Sequence, residues 1–302
     1  YTGQLRQEDM PFAVDNISAE RLELSVNSFW HPIFAGFGTY FTANIDLKLS
    51  QQLQVVGSGE VTQRGKKYRI RNTIPQLDIT FCASPEFLKR AESELTIFYS
   101  NPQQPFLDEL VKYGSESIAF LNDWLGENEP IPYGKLVITP RAETGYARKH
   151  FIVLSNLAKS NAAHLSNFIA HEFAHFWWLK GDPNTSANWL NESFAEYTAM
   201  QYQRDYLGEG AFKKEIAAKR KRAAGLPPVI DGSGTRQSHG VLYHKGPLKL
   251  YELELLIGKE RMRDLLATIN NANVRTTEAL LDVVKSELGQ DLAEKFETML
   301  QE

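Results

Sequence analysis

A chain of 302 residues, 42% hydrophobic and 23% charged, has a globular composition and is long enough for one large domain or two ordinary ones. Its formal charge of −4 argues against a dedicated nucleic-acid binder, and its single cysteine, Cys82, excludes an internal disulfide or a cysteine-based metal site. No apolar run is long enough to span a bilayer, so no transmembrane segment is expected. The chain opens at Tyr1 without a signal-peptide pattern. An upstream segment is therefore expected to have been removed, and the compartment, cytoplasmic or exported, stays open.

From about residue 20 to 100 the pattern has period two. "RLELSV" places Leu22, Leu24 and Val26 on one face, and "TANIDLKL", "QLQVV", "KKYRIR" and "LDITFCA" follow between turn-rich breaks such as "GSGE". These runs predict an antiparallel β-sandwich. "ELTIFYS" (94–100) reads as the crossing into a second region. A helix is predicted over 104–126, with Phe106, Leu110, Val111, Ile118, Leu121 and Leu125 inward, and the strands "KLVITP" and "FIVLS" come next. Helices then run from about 161 to the end, interrupted by the Pro/Gly-rich stretch 225–240, a loop length often tied to function. Within that train the basic run "KKEIAAKRKR" (213–222) reads as a solvated helix face. Thr276 or Thr277 is placed to cap a late helix.

One segment breaks the pattern. "FIAHEFAHFWW" (168–178) is nearly all apolar yet carries His171, Glu172 and His175, and burying such groups without partners costs several kcal/mol. On a helix His171 and His175 project from one face, one turn apart, so both imidazoles reach a single metal ion. Glu172 is rotated about 100° from His171, beside the metal rather than on it. A catalytic Zn2+ needs a third protein ligand and leaves its fourth position to water, whose proton a neighbouring carboxylate then takes. HExxH is the spacing that satisfies these demands. The short polar loop "KGDPNTSA" follows, then "NWLNESFAEY" (188–197). Sixteen residues separate His175 from Glu192, enough for an antiparallel return that presents Glu192 to the metal.

HEFAH followed by WLNESFAEY resembles the aminopeptidase N family of zinc metallopeptidases, gluzincins with a thermolysin-like catalytic domain. The resemblance implies one Zn2+ per chain held by His171, His175 and Glu192, with Glu172 as general base. It also implies a peptide substrate; with the charge of −4 no nucleic-acid partner is expected, and a monomer is the default. The spacer is slightly shorter than the family's, as for a trimmed loop. "VLYHKGPLKLYELELLIG" (241–258) resembles the family's Tyr-x-Lys-Gly segment, whose tyrosine stabilises the tetrahedral intermediate, and that role falls to Tyr243. Two readings stay open for Glu196, one turn beyond Glu192: a hydrogen bond to the far nitrogen of a zinc-bound histidine, or solvent. His164 lies too far along the helix to join and is read as structural. The fold expectation is α+β. Residues 1–90 form an antiparallel β-sandwich domain, like the later part of the family's N-terminal domain. Residues 91–302 form a thermolysin-like, mainly helical zinc metallopeptidase domain, with the cleft walled by both.

The chain departs from the family at one motif. Where aminopeptidases carry a GAMEN-like segment whose glutamate anchors the substrate's α-ammonium, this sequence reads "TGYARKHFIVL" (144–154), and the glutamate's place falls to Arg148. No acidic residue lies between Gly145 and His171, and Glu143 is the nearby substitute. Aminopeptidase-like hydrolysis is the expectation, with three alternatives. One is a gluzincin without free-amine specificity. Another is an inactive relative serving as a peptide-binding scaffold, against which the retained Glu172 argues. The last is a structural zinc site, which normally takes four protein ligands.

Overall fold

Strict alternation builds the first part of the chain. The computed structural model describes residues 5–9, 14–33, 39–100, 104–141 and 145–302, and it begins with the short strands β1 (Asn16–Ile17) and β2 (Leu22–Leu24). There follow β3 (Phe41–Lys48), β4 (Gln54–Gly57), β5 (Glu60–Arg64), β6 (Lys67–Gln76) and β7 (Phe81–Ser84). They pair antiparallel into two sheets, ordered β1-β2-β7-β4 and β3-β6-β5. The β3–β6 register sets Ile45 opposite Ile70 and Leu47 opposite Tyr68, so one face of the smaller sheet is apolar. That face meets Leu24, Ile79, Phe81 and Ala83 of the larger sheet side in a shared core, which makes the pair a sandwich.

A third sheet follows. It contains β8 (Leu88–Glu92), β9 (Leu95–Tyr99) and, beyond helix α1 (Gln104–Leu125), β10 (Gly134–Ile138), β11 (Gly145–Arg148) and β12 (Phe151–Leu154). Their order is β11-β12-β10-β9-β8, with β9, β10 and β12 parallel and the two edge strands antiparallel. β12 is buried at every residue, as expected of a strand covered on both faces. Strand β7 is also buried throughout, because it separates two cores. Phe81 and Ala83 face the sandwich core, and Cys82 faces a second core with Val56, Phe87, Val137, Phe151 and Val153.

By compactness the chain divides into Tyr1–Ser115 with Pro132–Ser160, and Glu116–Ile131 with Asn161–Glu302. The first unit holds the three sheets. The second is helical: α2 (Ala162–Ala174), α3 (Trp189–Leu207), α4 (Glu209–Ala223), α5 (Gly246–Ile257), α6 (Lys259–Asn271), α7 (Thr277–Leu288) and α8 (Gln290–Gln301). Thr276 caps α7 by accepting from the Ala279 amide. α3 is the central helix, buried from Trp189 to Gln203 almost without a break. Its sequence is not apolar enough for that position unaided, so its polar side chains are matched one by one. Asn191 bonds Gly181 through both main-chain groups, Ser193 donates to the Leu242 carbonyl, and Tyr197 and Gln201 both donate to Glu254. Among the described residues no helix is long and apolar enough to cross a membrane.

Candidate metal centre

Asn161 starts α2 by accepting from the His164 amide, and the helix ends at Ala174, so His171 sits in its last turn and His175 is the residue that caps it. The rings of these two histidines lie 4.7 Å apart and nearly perpendicular. α3 runs back past them and delivers Glu192 from its first turn. Glu192 Oε2 is 3.5 Å from His171 Nε2 and 3.5 Å from His175 Nε2. Two donors each about 2.0–2.1 Å from one tetrahedral zinc stand roughly 3.3–3.4 Å apart, so this spacing fits a shared ion. The three residues form the one His/Cys/Asp/Glu trio among the described residues whose ligand atoms converge, all within 4.8 Å.

The far side of each imidazole is also occupied. His171 Nδ1 is 2.9 Å from Glu196 Oε2, and His175 Nδ1 is 2.8 Å from the Trp178 carbonyl oxygen. Acceptors at both Nδ1 atoms place a proton there and turn both Nε2 atoms toward Glu192, the nitrogens that would ligate a metal. Of the two readings open for Glu196, the structure therefore has the hydrogen bond to histidine. The donor set fits Zn2+.

Electrostatics at the cluster favour a cation. Burial lowers the His171 pKa, but the carboxylates of Glu192 and Glu196 bonded to it outweigh burial and hold it at about 10. Burial acts the other way on Glu192, yet its bonds to His171 and His175 hold it well below the usual carboxylate range. Glu196 is likewise held down, against burial, by the Lys219 ammonium and by His171. Glu172 is buried, and its charge is felt at both His171 and Tyr243.

Tyr243 lies in a π-helical turn, Val241–Lys245, that leads into α5. Its hydroxyl donates to Glu192 Oε2 at 2.6 Å, and its ring stacks on His171 with centroids 5.3 Å apart. Burial and then the adjacent Glu192 charge push the phenol pKa up, so it stays a donor. On the other face His239 stacks at 4.3 Å.

Arg148 belongs to the sheet-bearing unit, where Nε and Nη2 both reach the buried Asp78 carboxylate and Nη1 donates to the Ala147 carbonyl at 2.8 Å. Glu143 lies outside the described residues. His164 stacks on Phe168, away from the cluster. The solvated-face reading of 213–222 needs a correction at one residue. Lys213, Lys214, Arg220, Lys221 and Arg222 are exposed, but Lys219 is 2% exposed and bonds Glu196 Oε1 at 2.5 Å. The signal for it was the stripe Phe212, Ile216, Lys219, the buried residues of α4, in which lysine takes an apolar place.

No family model matches the sequence, and no curated protein matches it. The fold does have solved counterparts. An M1 zinc metallopeptidase from Deinococcus radiodurans, solved as a mutant bound to a Tyr-Ser-Ala substrate, superposes with a TM-score of 0.72 at 17% identity. That match covers 99% of this chain and 74% of that one. A second structure of an M1 zinc metallopeptidase mutant from Deinococcus radiodurans gives 0.66 at 19% identity over 86% of this chain, which spans 64% of its length. Leukotriene A4 hydrolase from Saccharomyces cerevisiae gives 0.69 at 16% identity, covering 87% of this chain and 46% of that enzyme. The chain thus has the fold of the M1 zinc metallopeptidases, an antiparallel sheet region followed by a helical region, and spans less than two thirds of several such structures.

Proposed function

We propose that this chain is a zinc-dependent peptidase. The observation that carries the proposal is the convergence of His171 Nε2, His175 Nε2 and Glu192 Oε2, with both Nδ1 atoms already occupied. His171, His175 and Glu192 would hold one Zn2+. When bound, that ion supplies a lowered pKa for water and polarisation of the scissile carbonyl. The remaining chemistry belongs to the chain. Glu172 takes the proton of the attacking water and returns it to the leaving amine. Tyr243, kept protonated beside Glu192, donates to the substrate oxygen as it becomes negative. Glu196 fixes the His171 ring. The fold shared with M1 zinc metallopeptidases supports the same reading. Glu172→Gln keeps shape but removes the proton acceptor. Zinc content should be unchanged while digestion of a peptide library falls by about 10²–10⁴. Unchanged turnover would remove Glu172 from the mechanism.

A second reading, a gluzincin without free-amine specificity, is favoured by Arg148. Residue 148 takes the place of the family's ammonium-anchoring glutamate, and its guanidinium is held by Asp78. A free-amine peptide compared with its N-acetylated twin separates the two readings.

A further inference from the structure

We propose that Lys219 is a positioning residue for this centre, one ammonium that fixes both the carboxylate orienting His171 and the main chain carrying Tyr243. The inference rests on the zinc-peptidase reading and adds to it a residue from a different helix, α4.

A buried lysine must find acceptors for its three donors. Lys219 Nζ finds them in Glu196 Oε1 at 2.5 Å, the Tyr243 carbonyl oxygen at 2.9 Å and Glu215 Oε1 at 3.4 Å. The first two contacts both lead to the centre. Glu196 bridges the lysine and the histidine: Oε1 accepts from Lys219 while Oε2 faces His171 Nδ1, and Asn167 donates to both oxygens at 3.2 Å. A carboxylate held from two sides by Lys219 and Asn167 has one orientation left, and that orientation sets the His171 ring and tautomer.

The second contact follows from a proline. In an α-helical register the Tyr243 carbonyl bonds the amide of residue 247, and Pro247 has no amide hydrogen. The proline therefore removes the α-helical donor to that carbonyl, and Lys219 donates to it from α4. The same residue that creates the gap follows Gly246, whose place against Ser193 admits no side chain, so the chain around Tyr243 is tied to α3 and α4 together. A lysine that only clamped α4 onto α3 would be served by the Glu196 and Glu215 carboxylates. It is the bond to the tyrosine's own carbonyl that ties Lys219 to the chemistry.

The test is Zn2+ affinity by competition with a chelator, read on the 302-residue chain. Lys219→Met should weaken Zn2+ about 10–100-fold, while Lys214→Met, exposed on the same helix, should not. In a Glu196→Gln background Lys219→Met should cost no more than about twofold further, because its route to the metal is gone. Peptide hydrolysis gives the second readout. Lys219→Met should lower kcat with KM unchanged, and that loss should vanish when Tyr243 is already phenylalanine. Should Lys219→Met alone fail to fold, the double variant, with both buried charges removed, is compared with Glu196→Gln, and equal Zn2+ affinity supports the proposal. Wild-type Zn2+ affinity in Lys219→Met, or a loss of equal size with and without Glu196, overturns it. A wild-type chain that binds Zn2+ but cleaves no peptide would defeat the peptidase reading while the affinity cycle still decides the role of Lys219.

Discussion

Residues with metal-ligating chemistry were legible because their spacing is a geometric demand. His171 and His175 one turn apart, Glu172 between them and Glu192 after a short return are what one ion and one base require, and the structure brings the three ligand atoms together. Lys219 was not legible in the same way. All five of its basic companions in 213–222 are exposed, so the run as a whole reads as a solvated face. Arg148 was legible by position but not by environment, since nothing in "GYARK" announces Asp78. That partner changes the prediction. An isolated guanidinium in place of a carboxylate would repel an ammonium by several kcal/mol at short range, on the order of the Coulomb energy at an effective dielectric of 20. Paired with Asp78 it neither anchors nor strongly repels. The wild-type protein is therefore expected to cleave a free-amine peptide and its N-acetylated twin at rates within about one order of magnitude, without the several-kcal/mol advantage an ammonium anchor confers. A preference of several orders for the free amine would show an anchor elsewhere. Wild type is the protein to assay, because Arg148→Ala strands the buried Asp78 charge at a cost of about 3–5 kcal/mol.

Elements with clean periodicity were legible together with their buried face, whereas α3 was legible as a helix but its burial was not. The alternation of β3 and β6, and the helix at 104–126, observed at Gln104–Leu125, follow from apolar spacing alone. The burial of α3 does not, because it is supported by Ser193, Tyr197 and Gln201, whose partners lie 49, 57 and 53 residues along the chain. The π-turn before α5 shows its origin in sequence only as Gly246-Pro247. Gly246 is there because a β-carbon would lie 2.0 Å from Ser193 Oγ, and Ser193 is itself bonded to the Leu242 carbonyl. Gly246→Ala should therefore destabilise the protein by about 1–3 kcal/mol, as other overpacked sites do. Urea unfolding should show it, and Ser193→Gly in the same chain should recover part of the loss. An unchanged midpoint in Gly246→Ala would mean α3 and α5 separate freely.

At the scale of the whole molecule, the order of sheets then helices was readable, and the third sheet's parallel core was not. Runs such as "FIVL" read as strands, but a short apolar run carries no signal for which strand it pairs with or in which direction. Among the sheets one buried group sets an acid limit. His150 is 3% exposed with both ring nitrogens unpartnered, packs at a tilt against the Tyr133 ring with centroids 4.4 Å apart, and feels the charges of Lys135 and Lys149. Burial first, then those lysines, lower its pKa from 6.5 to about 4. Between those values the unfolded chain binds a proton the folded chain does not, so stability falls as pH drops from 6.5 toward 4, by on the order of 3 kcal/mol. His150→Phe should flatten that part of the stability–pH curve measured by urea unfolding. A wild-type slope retained in the variant would move the acid sensitivity to another group.

Zinc per chain in the dialysed protein, measured by elemental analysis for wild type and for Glu192→Ala, tests the central claim most directly. Three converging ligands predict close to one equivalent in wild type and loss of zinc in the variant, since His171 and His175 alone leave the site incomplete. A wild-type chain without zinc, or a Glu192→Ala chain that retains a full equivalent, would contradict the account.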